Sequence, residues 1–159
     1  MIAKLWNVLC SFLLILTLLN VSLTDIRYYR ITKHSYLFLL IIGLVDALSI
    51  QKPWIDCMIG FLSVSFGLIL IYILTKGKAI GGGDIKLMAF TGILLGWKRN
   101  ILAFFTACVL VTAHFLLNKK HFRKSRTFAF GPYLSMGILL SWFFGFEILN
   151  AYSQWPGII

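Results

Sequence analysis

Only five acids occur in a chain of 159 residues: Asp25, Asp46, Asp56, Asp84 and Glu147. Asp84 most needs a chemical reason, because three consecutive glycines, Gly81, Gly82 and Gly83, carry it into an apolar, helix-like run, Ile85–Leu95. A second acid, Asp25, closes an earlier apolar run. Two carboxylates that meet in a partly dry site cannot both ionise easily, so they share a proton. One then acts as a base towards water, and the other protonates the oxygen of a scissile carbonyl. This is aspartyl-protease chemistry, and it needs no metal, no nucleophilic side chain and no cofactor. The glycines suit it. They are expected to unwind the chain just before Asp84 and to offer its carboxylate at a helix N-terminus, which favours the charged form.

The elements that must position these acids are membrane spans. Hydrophobic residues make up 60% of the chain and charged residues 13%, with a mean hydropathy of +0.90, whereas a soluble domain is nearer half apolar. The composition points to an all-α integral membrane protein, a single membrane-embedded domain over 1–159 without room for a separate soluble one. Six spans are expected, roughly Leu5–Leu23, Tyr36–Ile50, Trp54–Thr75, Asp84–Trp97, Ile101–Leu117 and Phe130–Tyr152, of which the second and fourth are short against the ~20 residues a span needs. Leu5–Leu23 is long for a signal peptide and no small-x-small cleavage site follows, so it reads as a retained span.

With six spans, loops 24–35, 76–83 and 118–129 share one side with the start of span four. That side carries Arg27, Arg30, Lys33, Lys76, Lys78, Lys86, Lys119, Lys120, Arg123, Lys124 and Arg126 of the fifteen Lys and Arg, against Lys4, Lys52, Lys98 and Arg99 opposite. Basic loops stay in the cytoplasm, so both termini are expected outside. The net charge of +10 is thereby explained by loops facing an anionic leaflet rather than by nucleic acid. Trp54, Trp97 and Trp155 fall near span boundaries, as an aromatic belt places them, while Trp142 falls nearer mid-span. In this topology Asp25 and Asp84 are the two acids at cytoplasmic ends of spans, and they meet if spans one and four are neighbours. Asp46 and Asp56 flank an outer turn and read as solvated rim residues. Glu147 lies towards the outer end of the last span.

Each acid taken singly has a plainer reading. Asp84 is a good N-cap for span four, and Asp25 ends span one within reach of Arg27 or Lys33. The glycines lack the remainder of a phosphate loop, GxxxxGK[ST]. Cys10, Cys57 and Cys108 lie in or beside apolar runs with no CxxC, and read as small buried hydrophobes. His114 reads as an interior histidine. His34 and His121 sit in basic loops without metal-ligand spacing. A non-enzymatic alternative, a small transporter or assembly subunit using Asp84 as an ion-coupling acid, needs a polar path across the bilayer.

Three motifs in order then resemble one family. Gly81-Gly82-Gly83-Asp84-Ile85-Lys86 is similar to the GxGDxK signature of type IV prepilin peptidases, a branch of the GxGD intramembrane aspartyl proteases. Asp25 with Ile31 six residues on resembles the family's first-aspartate motif, with Thr32-Lys33 where Pro-Asn is usual. Phe130-Gly131-Pro132-Tyr133 resembles its FGP[FY] element, with Ala129 where Pro often precedes. The resemblance covers essentially the whole chain. It implies Asp25 and Asp84 as the catalytic pair, with Gly81, Gly83, Lys86, Gly131 and Pro132 in support. It also implies a prepilin or pseudopilin substrate with a short basic leader, cut at the cytoplasmic face of the cell membrane just before an apolar segment. Larger members that also methylate the new N-terminus carry a domain with paired CxxC motifs. This chain shows no such insert, so methyltransferase activity is not expected of it.

Overall fold

The computed structural model describes residues 2–117 and 128–154, with side chains from Leu5 onward. Among them the secondary structure is helical throughout: α1 Ile2–Tyr28, α2 Lys33–Ser49, α3 Trp54–Leu74, α4 Gly82–Leu95, α5 Trp97–Leu117 and α6 Gly131–Ser153. All six expected spans therefore have a helix. The basic stretch 118–127, His121 and Trp155 lie outside the described residues.

Four helices, α1, α3, α5 and α6, are long and apolar enough to cross a membrane. Their outward faces are apolar, with Leu5, Phe12, Ile55, Phe66, Phe105, Val109, Phe144 and Phe146 exposed, which suits hydrocarbon and not water. The remaining two are short, as the sequence suggested. At 14 residues, α4 is about 21 Å long against a hydrocarbon core of about 30 Å. It is also the most enclosed element, with Ile85, Leu87, Met88, Ala89, Thr91, Gly92, Leu94 and Leu95 buried. A helix that is apolar all round belongs inside a bundle, and α4 packs on α2, α3, α5 and α6. By contrast, α1 packs chiefly on α2 and α6. The expected route to a meeting of the two acids, direct packing of the first span on the fourth, is thus replaced by one through α2, α6 and the connection between α1 and α2.

Small residues let these helices close. A Cβ on Gly60 would overlap the Gly92 backbone carbonyl, and the reverse holds for Gly92, so α3 and α4 cross in backbone contact. Gly137 meets the Ala103 carbonyl in the same way where α5 and α6 cross. Such crossings are the usual device where lipid supplies no hydrophobic drive between helices. Asn100, wholly buried, ties three helices together. Its amide nitrogen donates to Gly60 O and Met88 O, each at 3.1 Å, and to Ser63 Oγ at 3.3 Å.

Several boundaries differ from expectation. At the start of α4, Gly81 is the N-cap, while Gly82 and Gly83 are already helical. The glycines therefore do not unwind the chain ahead of Asp84. They form the helix's first turn, and Asp84 is its third residue, so the N-cap reading of Asp84 is also replaced. Helix α4 stops at Leu95, not Trp97, because Gly96 takes φ +76°, a left-handed value that glycine adopts without strain. Trp97 instead opens α5. His114 is exposed, with its ring 5.8 Å from that of Tyr133, so it is not an interior histidine.

Candidate active site

The connections return the chain so that the ends of α1, α3 and α5 share one end of the bundle with the starts of α2, α4 and α6. Asp25 sits in the last turn of α1 and Asp84 in the first turn of α4. A cavity of about 250 Å³ at that end is lined by both carboxylates together with Tyr29, Arg30, Ile31, Tyr36, Gly81, Gly82 and Gly83. Asp25 is 7% exposed, and Asp84 is half-buried. Among the described residues the one ion pair joins Lys52 to Asp46, so Asp25 does not pair with Arg27 or Lys33.

Among the described residues, backbone groups and not cations partner these carboxylates. The Gly131 N–H donates to Asp25 Oδ2 at 2.7 Å. Gly131 is the first residue of α6, where helix N–H groups lack intrahelical partners and the dipole favours an anion. A Cβ at 131 would lie 2.8 Å from Asp25 Oδ2 and 3.0 Å from its Cγ, so the contact requires glycine. Pro132, next in the same turn, has no N–H to leave unpaired, which suits that position. For Asp84 the backbone amide of Gly81 faces the carboxylate. An acid at the third helical position reaching back to the N-cap amide is half of a capping box. The site and the helix start are therefore one construction.

Tyr36 escaped the sequence reading as a site residue. It opens onto the cavity from α2, within electrostatic reach of both Asp84 and Asp25. Its hydroxyl makes only a long bond, 3.3 Å, to the Ile31 carbonyl. That hydroxyl would stand 3.0 Å from a Cβ on Gly83, so Gly83 makes room for it. The sequence signal was only an aromatic hydroxyl at the start of an apolar run. Tyr29 also lines the cavity, with φ +51°, an outlying value for a bulky residue. Such strain gathers at functional sites. Thr32, standing where the resembled motif has proline, adopts φ −70° as the N-cap of α2. That is close to the value a proline would impose. Lys86 is exposed and does not line the cavity. Of the seven residues singled out from the sequence, Asp25, Gly81, Gly83 and Asp84 line the cavity and Gly131 bonds Asp25, whereas Pro132 and Lys86 do not line it.

Asp46 departs most from the sequence reading. It is 3% exposed, not solvated, and pairs with Lys52 at 3.4 Å. The Lys52 ammonium also donates to the Leu94 carbonyl, binding the turn between α2 and α3 to the C-terminal end of α4. Burial lowers the Lys52 pKa, and the neighbouring Asp46 carboxylate opposes that. Asp56 is exposed, as expected of a rim residue. Among the described residues no group of three or more His, Cys, Asp or Glu side chains could hold a metal ion.

Comparison with known proteins decides the family, because the type IV leader peptidase profile matches residues 12–116. The chain belongs to the type IV leader peptidase family. Similar members include the prepilin leader peptidase/N-methyltransferase of Bacillus subtilis, 30% identical over 139 residues, 85% of this chain and 55% of that protein. The protein of the same description from Legionella pneumophila is 28% identical over 155 residues, 92% of this chain and 53% of that one. The one from Pectobacterium carotovorum is 30% identical over 142 residues, 84% and 49%. The chain thus spans about half the length of the curated relatives it matches. No solved structure matches it.

Proposed function

We propose that this chain is a multi-pass membrane aspartyl endopeptidase that removes short basic leaders from prepilin-like substrates, with Asp25 and Asp84 as its catalytic pair. The observation that carries this reading is the small cavity onto which both carboxylates open. Family membership supports the substrate class. The methyltransferase half of the relatives' description is not carried over.

In the proposed cycle the two carboxylates hold one proton between them. The ionised member takes a proton from water, whose oxygen attacks the scissile carbonyl carbon. The protonated member gives its proton to the carbonyl oxygen. Collapse of the tetrahedral intermediate breaks the C–N bond, the departing amine takes up a proton, and the pair returns to its starting state. No metal or other cofactor enters. The N–H of Gly131 fixes Asp25, and the helix start fixes Asp84, so the pair is set before substrate arrives. Tyr36 can turn its weakly held hydroxyl to the developing oxyanion.

The whole of 1–159 acts as one domain with six membrane-embedded helices, α4 being shielded by its neighbours. The basic residues Arg27, Arg30, Lys33, Lys76, Lys78 and Lys86 cluster at the end that holds the acids. This supports a cytoplasmic active-site face and outward termini. Both acids lie at one end of the bundle, which does not suit the ion-coupling alternative. Co-expression with candidate prepilins, read as a mobility shift on a gel, tests the activity.

A further inference from the structure

Asp84 and Gly81 also form a wall of a second and larger cavity, of about 620 Å³. Its other walls are Leu68 on α3, Phe104, Cys108 and Val111 on α5, the 77–80 connection, and Phe128 and Phe130 before α6. The volume falls in the ~300–1,000 Å³ range of binding clefts. A helix about 10 Å across would fill it over roughly 8 Å, some one and a half turns. The cleft is continuous with the outer face of α5. Cys108 lines both the cleft and a shallower apolar hollow formed by Phe105, Val109, Thr112, Ala113 and Leu116. These positions repeat at helical spacing, so the hollow runs along one face of α5. That face is apolar and exposed, and α5 is long and apolar enough to cross a membrane.

We infer that this cleft is the docking site for the apolar segment on the carboxyl side of the cleaved bond, entering laterally from the bilayer along α5. The inference rests on the peptidase reading. An apolar helix lying against the hollow along α5 continues past Cys108 into the cleft. Its leading end is then delivered at Asp84, where the smaller cavity with Asp25 begins. The two cavities divide the work. The larger holds the segment that stays in the membrane, and the smaller holds the peptide bond. The junction is Asp84 with Gly81 and Tyr29, which line both. The segment's own backbone polar groups are satisfied within its helix, so the apolar walls, Leu68, Phe104, Val111, Phe128 and Phe130, cost it nothing, while Lys78, Tyr29 and Asp84 line the same cleft.

The test uses Cys108, since Cys10 and Cys57 are buried. The probe is whichever prepilin the wild-type chain processes best, with single cysteines placed along the first two turns of its apolar segment. In membranes carrying the Asp84→Asn chain, a short bismaleimide should join one of these cysteines to Cys108, and the adduct should vanish with Cys108→Ser. Separately, Val111→Trp, which fills the cleft, should slow processing at least tenfold at equal membrane abundance. Phe38→Trp, on the outer face of α2, should not. Absence of an adduct at Cys108, or an adduct formed instead with a cysteine placed at Phe38, overturns the inference. Wild-type rates in Val111→Trp also overturn it. A wild-type chain that processes no prepilin overturns the peptidase reading itself, which separates the two failures.

Discussion

The backbone N–H of Gly131 donates to the Asp25 carboxylate at 2.7 Å, joining the start of the last helix to the end of the first. The space between them has no room for even a methyl group, since a Cβ at 131 would stand 2.8 Å from Oδ2. Gly131→Ala must therefore push the carboxylate aside. Misplacement of a catalytic group by about 1 Å can cost about 100-fold in rate. Processing by Gly131→Ala should fall by that order while the protein remains in the membrane at normal abundance. Pulse-labelled co-expression with a prepilin measures both.

Gly83 and Tyr36 make a second, milder pair. The Tyr36 hydroxyl would lie 3.0 Å from a Cβ at position 83, and it is the far end of a side chain that can move. Gly83→Ala should slow cleavage about tenfold by displacing that hydroxyl. Tyr36→Phe removes both the clash and the donor. In the double variant, cleavage should therefore match Tyr36→Phe alone and not the product of the two losses, a coupling that a double-mutant cycle on cleavage rates detects.

At the far end of α4, the Asp46–Lys52 pair is a stability element. Breaking a buried pair by removing one partner costs about 3–5 kcal/mol. Asp46→Asn should accordingly lower the melting temperature in detergent, where a solvated rim acid would change nothing, and leave cleavage by the surviving folded protein intact. The pH dependence has a definite sign. Lys52 holds its proton less tightly when folded than its ordinary value of 10.5 implies. Between the lowered value and 10.5 the unfolded chain binds more protons, so this residue makes stability rise with pH through that window. Thermal melts at alkaline pH should show that contribution in the wild type and lose it in Lys52→Met.

Glycines in this chain divide by what surrounds them. Gly92→Ala places a methyl onto the Gly60 carbonyl, forcing α3 from α4 at a cost of about 3 kcal/mol or more. At Gly67 a Cβ would meet nothing within 4 Å, and alanine there should stabilise its helix by about 0.5–1 kcal/mol. Detergent melts of the two variants should move in opposite directions.

Hydropathy located each of the six helices, because a bilayer demands long apolar runs and little else. Charge asymmetry and acid placement singled out Asp25 and Asp84 from five acids. What hydropathy could not show is which helices touch. The meeting of the acids runs through Gly131 and Tyr36, contacts between elements far apart in sequence. The burial of Asp46 was equally hidden, because a turn between two spans reads as solvent-facing until Lys52 is seen folding back onto Leu94. Helix starts also misled. A run of three glycines reads as a break, yet its backbone amides supply the first turn that holds Asp84.

The proposed joint action of Asp25 and Asp84 on the substrate is tested most directly by one set of cleavage rates. A prepilin is cut by purified wild type, Asp25→Asn and Asp84→Asn at matched amounts, each across pH 4–9. The wild type should give a bell-shaped profile from the acid and base of the pair, unchanged by a chelator. Each asparagine variant should lose essentially all activity at every pH. Cleavage at the wild-type rate by either variant would contradict the account.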